Sequence, residues 1–328
     1  MSSEQFDYVV VGAGSAGCAV ANGLSESGRH SVLLLEAGPE SRRNPFVNTP
    51  LGFLQLMFSR RFNWQFNTEP QRHMYDRALF QPRGKMVGGS SGMNAQVYIR
   101  GHASDYDEWA RLGCNGWSYS EVLPYFRRSE HFEPKLASAD VAFHGQGGPL
   151  NVAERRYTNP LSVVFLDAAI QAGYQRNADF NGSEQEGVGF YYAYQKNGVR
   201  CSNARAYLEP AAGRSNLTVR SDAQVTRVLL EGTLATGVEY RSAKGLVQVC
   251  ARREVVLCGG AFNSPQLLML SGIGPLEELA QHGIKLRHAL EGVGQNLQDH
   301  IDVFVRVKAR SRQSISMHPS YWLTGLRA

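Results

Sequence analysis

Gly12-Ala13-Gly14-Ser15-Ala16-Gly17 is a GxGxxG run, and an acid, Glu36, stands nineteen residues after its last glycine. Glycines at this spacing suit a dinucleotide pyrophosphate. Gly12 permits a tight turn, Gly14 lets the main chain approach a phosphate, and Gly17 lets a helix pack closely on a strand. The N–H groups at Ser15 and Ala16 open the helix and face the anion, with the positive end of the helix dipole behind them. Glu36, with Ala37 beside it, is placed to accept hydrogen bonds from the adenosine ribose. A carboxylate there argues against a 2′-phosphate. The motif alone leaves FAD and NAD open.

Two further glycine-rich segments could meet the same ligand. Val87-Gly88-Gly89-Ser90-Ser91 places small residues where a backbone must pass close to a bound group. Its N–H and hydroxyl groups can bond a pyrophosphate or a flavin edge. Gly259-Gly260-Ala261 follows a short apolar run ending at Leu257. Here Ser264 is expected to cap the next helix, Pro265 to sit in its first turn, and Gly272 to end it.

These segments need a sheet to hold them. Tyr8–Val11 and Ser31–Leu35 read as buried parallel strands, with a helix over Ser15–Ser27 between them and Gly28 as its stop. Together they form a βαβ unit. From Ala37 to Arg83 the pattern dissolves into Gly, Pro, Arg and aromatic residues, a long excursion outside the sheet. Helices are expected at Asp105–Leu112 and at Ser120–Ser129, the latter capped within Trp117-Ser118-Tyr119-Ser120. Phe143–Leu150 is a glycine-rich loop. Pro160–Ala172 is an amphipathic helix with Leu161, Val164, Phe165, Ala168 and Ala172 on one face. Leu217–Leu230, Gly237–Arg241 and Leu246–Ala251 read as a β-meander turning at Ala243-Lys244-Gly245, and Val255–Leu257 as a separate short strand.

The chain of 328 residues has 43% hydrophobic and 19% charged residues and a formal charge of +5, an ordinary globular composition of about two domains. The basic residues are scattered, without the stripe of Lys and Arg that nucleic-acid binding requires. Five cysteines with no CxxC argue against a disulfide framework or a zinc site. No signal peptide and no run of transmembrane length is read. The expectation is a cytoplasmic protein binding no metal, with peripheral attachment to a membrane left open.

Pro82–Asn94 and Gly260–Pro275 resemble the two signature segments of the glucose–methanol–choline flavoprotein family. Gly292–His300, Phe143–Leu150 and Arg214–Leu217 also resemble family motifs, so the resemblance spans nearly the whole chain. It implies an α/β fold: a Rossmann-like FAD-binding domain with a β-meander, interleaved with an incomplete α+β substrate domain. The FAD domain would occupy residues 1–300 discontinuously (about 6–37, 78–101 and 216–299), and the partial substrate domain about 151–215 and 301–328. The cofactor would be FAD. The resemblance sets Asn94-Ala95-Gln96-Val97 along the isoalloxazine ring, Gly260 near the adenine half, and Val225 beside the adenine, although Val225 reads equally well as core. Some members attach FAD through a histidine where this chain has Met93, so attachment here should be non-covalent.

The implied reaction oxidises a primary alcohol to an aldehyde, with hydride transfer to flavin N5 and an electron acceptor such as a quinone, a dye or oxygen. A base must reach the hydroxyl proton. The family draws it from a C-terminal histidine, which would lie beyond Ala328, so no catalytic residue is assigned and a truncated chain is expected. The nine histidines read as exposed or hydrogen-bonded. His300 and Asp302 are candidates for lining the active site. Choline is the alternative substrate, and a non-catalytic FAD-binding fragment or pseudoenzyme the alternative function.

Overall fold

The computed structural model describes residues 4–133 and 141–300. It divides into two compact units, Met1–Ala95 with Val199–Asp299, and Gln96–Gly198 with His300–Ala328.

The first unit is built on a six-stranded sheet. Its elements in chain order are β1 (Glu4–Val11), α1 (Ser15–Glu26), β2 (Val32–Leu35), β3 (Leu217–Arg220), β4 (Gln224–Glu231), β5 (Leu234–Ser242), β6 (Gly245–Leu257) and α2 (Gly260–Leu270). The strand order is β3-β2-β1-β6-β5-β4. β3, β2, β1 and β6 pair in parallel, and β6, β5 and β4 form the antiparallel meander. The α/β class expected from the sequence is the class observed.

Strand alternation sorts the apolar residues onto two faces. Val9, Val11, Leu33 and Leu35 pack with Val228, Val238, Tyr240, Val249 and Leu267 on one side. Val10, Val32 and Leu34 pack with Cys18 and Ala21 of α1 and with Ala204 and Leu208 on the other. Burial of both faces explains why β2 is a continuous apolar run, Val-Leu-Leu-Leu. No residue from 37 to 83 joins this sheet, as expected.

Two readings of the meander change. Leu217–Leu230 is two strands, not one. Asp222 has φ of +53° and donates its N–H to Gly38, while Ala223 donates to the Glu36 carbonyl. The chain turns there and passes from one edge of the sheet to the other. Conversely, the Leu246–Ala251 and Val255–Leu257 runs belong to the single strand β6. Arg252-Arg253-Glu254 broke the hydrophobic pattern, yet the strand continues. Arg252 Nε lies 3.1 Å from Asp7 Oδ1 and Arg253 Nε 3.9 Å, beside the register shift between Phe6 and Tyr8.

The second unit begins six residues before the end of the 78–101 segment expected in the FAD domain, and it includes 102–150; residues 199–215 lie in the first unit. Among its described residues are the helices Ala103–Arg111, Tyr119–Ser129 and Pro160–Gln171. Glu130–Phe132 pairs with Leu150–Val152 and Val97–Tyr98 with Tyr192–Ala193. In Pro160–Gln171 the inward residue is Leu166, whereas Val164 is 61% and Phe165 75% exposed. Helical spacing shows which side chains share a face; it does not supply the neighbours that cover it. Among the described residues no helix is long and apolar enough to cross a membrane.

Candidate functional site

β1 ends at Val11, and Gly12 reverses the chain at φ +96°. Gly12 donates its N–H to Leu35 O at 2.7 Å. A Cβ on Gly12 would fall 2.6 Å from the Cys258 carbonyl oxygen. A Cβ on Gly17 would fall 1.8 Å from the Gly12 oxygen, so α1 approaches the turn as only glycine allows. The helix begins at Ser15 with Gly14 as its N-cap and no side-chain cap. Ser15 and Ala16 are exposed at this end, leaving first-turn N–H groups for a ligand.

Glu36 sits just past the end of β2 and is buried. Its Oε2 accepts the Ala13 N–H and its Oε1 the Gly38 N–H, each at 2.9 Å. Burial raises its pKa to about 7, against the lowering pull of the Gly38 and Ala13 N–H groups and of Lys85. The acid therefore ties down the glycine turn, a role the motif alone did not reveal. Each oxygen still has lone-pair capacity for a hydroxyl donor.

The second glycine-rich loop packs onto this turn. Gly88 donates to Ala13 O at 2.7 Å, and a Cβ on Gly89 would fall 2.7 Å from Gly14 Cα. Val87 is fully buried in the α1 side of the core. Its N–H bonds Pro39 O and its carbonyl accepts from Ser41 Oγ, so it shapes the loop without lining the cleft. Ser90 Oγ accepts the Gly84 N–H. Asn94 and Ala95 are exposed at the end of the first unit's N-terminal stretch, whereas Gln96 (buried) and Val97 (exposed) belong to the second unit.

A cleft opens in the first unit between these loops. Gly12, Gly14, Glu36, Ala37, Gly89 and Val225, all named from the sequence as cofactor candidates, line it. Trp64, Gln224, Cys258, Asn263, Gln266 and Leu267 line it too, and were not foreseen. Asn263 and Gln266 lay inside a recognised segment. Trp64 comes from the patternless excursion, where periodicity offers no signal. Gly260 starts α2 at φ +81° and is exposed, with its neighbour Gly259 in the wall.

The capping of α2 differs from expectation. The helix starts at Gly260, so Ser264 and Pro265 lie within it. Ser264 Oγ accepts the Gly259 N–H at 3.0 Å and so stabilises the turn ahead of the helix. Gly272 follows the helix at φ +85°, as expected.

The cleft suits a dinucleotide. Asn263 Oδ1 is buried with no hydrogen-bond partner, a state that costs about 1–3 kcal/mol until a donor meets it. A ribose hydroxyl or an adenine amino group is such a donor. Gly12 and Gly89 keep the wall free of side chains.

The histidines include both an exposed and a buried, hydrogen-bonded case. His300 is exposed, and Asp302 lies outside the described residues. His144 is buried in the second unit between two acids, with Nδ1 3.0 Å from Glu130 Oε1 and Nε2 2.7 Å from Asp179 Oδ2. Glu130 also takes Arg100 Nη2 at 3.1 Å. The partners come from separate segments, Glu130 from a short strand and the others from loops, so spacing along the sequence did not point to the cluster.

Comparison with known proteins agrees with this geometry. The GMC oxidoreductase profile matches residues 6–302. An alcohol dehydrogenase [acceptor] of Pseudomonas putida is 46% identical over 98% of this chain and 58% of its own. Human mitochondrial choline dehydrogenase is 45% identical over 93% of this chain and 52% of its own. Among solved structures, pyridoxine 4-oxidase from Mesorbium loti superposes with a TM-score of 0.81 at 35% identity, over 87% of this chain and 55% of that one. Formate oxidase gives 0.84 at 30% identity, over 92% and 53%. The chain spans about half the length of the curated relatives it matches. It belongs to the GMC oxidoreductases, a flavoprotein family whose cofactor is FAD.

Proposed function

We propose that the protein is an FAD-dependent oxidoreductase acting on CH–OH groups, oxidising a primary alcohol to an aldehyde. When bound, FAD supplies the hydride acceptor at flavin N5. One observation carries the reading: the strand–turn–helix and the second glycine-rich loop meet around a cleft walled by a buried carboxylate and an unpaired amide oxygen.

In this reading Ser15 and Ala16 present N–H groups to the pyrophosphate, and Gly14 and Gly89 let the main chain approach it. Glu36 and Asn263 accept donors of the adenosine half, and Val225 flanks the adenine. Ser90 and the Asn94-Ala95-Gln96-Val97 stretch are assigned to the flavin half by resemblance. Met93 packs with Val47, Leu56 and Met86 in a small core. A thioether held there supports non-covalent attachment. The second unit is assigned to the substrate.

The relatives' names support a small alcohol, with choline as the alternative because choline dehydrogenases are 42–46% identical. The electron acceptor would be a quinone, a dye or oxygen. His144 has both ring nitrogens engaged by acids, and it is given no part in proton abstraction.

The test is a titration of flavin-free protein with FAD, followed by anaerobic mixing with primary alcohols and choline. Quenched flavin fluorescence is expected on FAD binding; with no proton-abstracting residue assigned among these residues, rapid bleaching of the flavin band is not expected of this chain alone. Glu36→Ala should bind FAD about ten- to a hundredfold more weakly. Binding of NAD but not FAD would overturn the assignment. Bleaching within seconds by any alcohol would mean that the base lies within these residues, with His300 the first to substitute.

A further inference from the structure

Arg200 is fully buried, with 0% exposure. A charge so placed is tolerated only when its donors are met. Arg200 Nε donates to Val47 O at 3.0 Å and Nη2 to Pro50 O at 3.3 Å. Nη1 faces Asn94 O at 2.7 Å, Asn94 Oδ1 at 3.1 Å and Ser91 O at 3.3 Å. One planar fork thus joins the start of the 37–83 excursion to the far end of the loop that packs on Gly14.

Neighbouring contacts act on the same loop. Ser91 Oγ donates to Gly88 O at 2.6 Å and accepts the Asn203 N–H at 2.9 Å. The Asn203 side chain reaches Ser15 O at 3.1 Å. The Ala204 Cβ lies 3.2 Å from where a Gly88 Cβ would stand. Just past Arg200, Ala204–Leu208 is a turn of π-helix, an irregularity often retained at functional sites. The turn around Gly14 fixes one end of the Gly88–Asn94 loop, and Arg200 fixes the other.

We infer that Arg200 is a positioning residue for the flavin half of FAD: it sets the main-chain path Ser91–Asn94 that leads to the isoalloxazine ring. This rests on the FAD reading above. Lysine cannot reproduce the fork, because its ammonium is a compact point charge without guanidinium geometry.

The experiment compares FAD with ADP, which shares the adenosine and pyrophosphate half and lacks the flavin. Wild-type protein should bind both, and failure to bind FAD would defeat the FAD reading itself. In Arg200→Lys, ADP affinity should stay within about twofold. FAD should bind about ten- to a hundredfold more weakly, with an altered visible circular dichroism of the flavin. Arg200→Gln, neutral and shorter, is the second variant and should show the same split. Equal loss of ADP and FAD in both variants would make Arg200 a general structural support and overturn the inference. Unchanged binding of both would overturn it as well.

Discussion

Glu36 Oε2 accepts the Ala13 N–H at 2.9 Å, so the acid that follows the second strand holds the turn that follows the first. The same carboxylate is in the wall of the cleft. Holding the turn and lining the cleft are therefore properties of one buried group.

That coupling predicts a pH dependence. Burial raises Glu36 from 4.5 to about 7 in the folded protein. Its contribution to the stability of the flavin-free protein is fully present below about pH 4.5 and is lost as pH rises through about 7. Ribose hydroxyls are best accepted by the ionised form, so FAD affinity should rise with pH across the same window. Isothermal titration at several pH values in wild type and Glu36→Gln checks this. A slope that survives in Glu36→Gln would assign the titration to another group.

Two glycines in α1 should behave oppositely. Gly17→Ala puts a Cβ 1.8 Å from a backbone oxygen, so it should push helix from strand and abolish FAD binding. Gly23 has nothing within 4 Å of its would-be Cβ. Gly23→Ala should leave FAD binding intact and stabilise the protein by about 0.5–1 kcal/mol. Thermal melts with and without FAD read both. A tolerant Gly17→Ala would mean that the turn relaxes in a way the packing does not suggest.

Met93, which the family resemblance sets where covalent members carry histidine, is buried against Val47, Leu56 and Met86. Acid precipitation of the FAD-loaded protein should leave all flavin in the supernatant. Yellow colour retained in the washed pellet would contradict non-covalent attachment.

In the second unit, burial works to lower the His144 pKa. The hydrogen bonds to Asp179 and Glu130 outweigh it and raise the pKa from 6.5 to about 9. The stabilisation is present below about pH 6.5 and is lost as pH rises through about 9. His144→Ala leaves two buried acids short of a partner and should destabilise by about 3–5 kcal/mol. Melting temperature measured from pH 7 to 10 should fall in wild type and stay flatter in the variant. Matching slopes in the two proteins would remove His144 as the cause.

Much of the first unit could be read from the sequence because its cues are local. Val-Leu-Leu-Leu marks a strand buried on both faces, Gly12 and Gly17 meet their steric limits within six residues of each other, and Gly28 and Gly272 end helices through their own backbone freedom. The identity of the ligand class follows from the same short segments. Tertiary structure alone decided the rest. The Arg252-Arg253 pair stays inside β6, where Asp7 of the neighbouring strand β1, far away in sequence, meets it. Ser264 faces back to Gly259, Trp64 enters the cleft from a segment without periodicity, and Val164 and Phe165 stay exposed on a helix whose pattern asked for cover. Arg200 finds its partners across 106 to 153 residues, and His144 finds Glu130 and Asp179 across 14 and 35. Such pairings arise when strand order closes the fold, and spacing along the chain carries no trace of them.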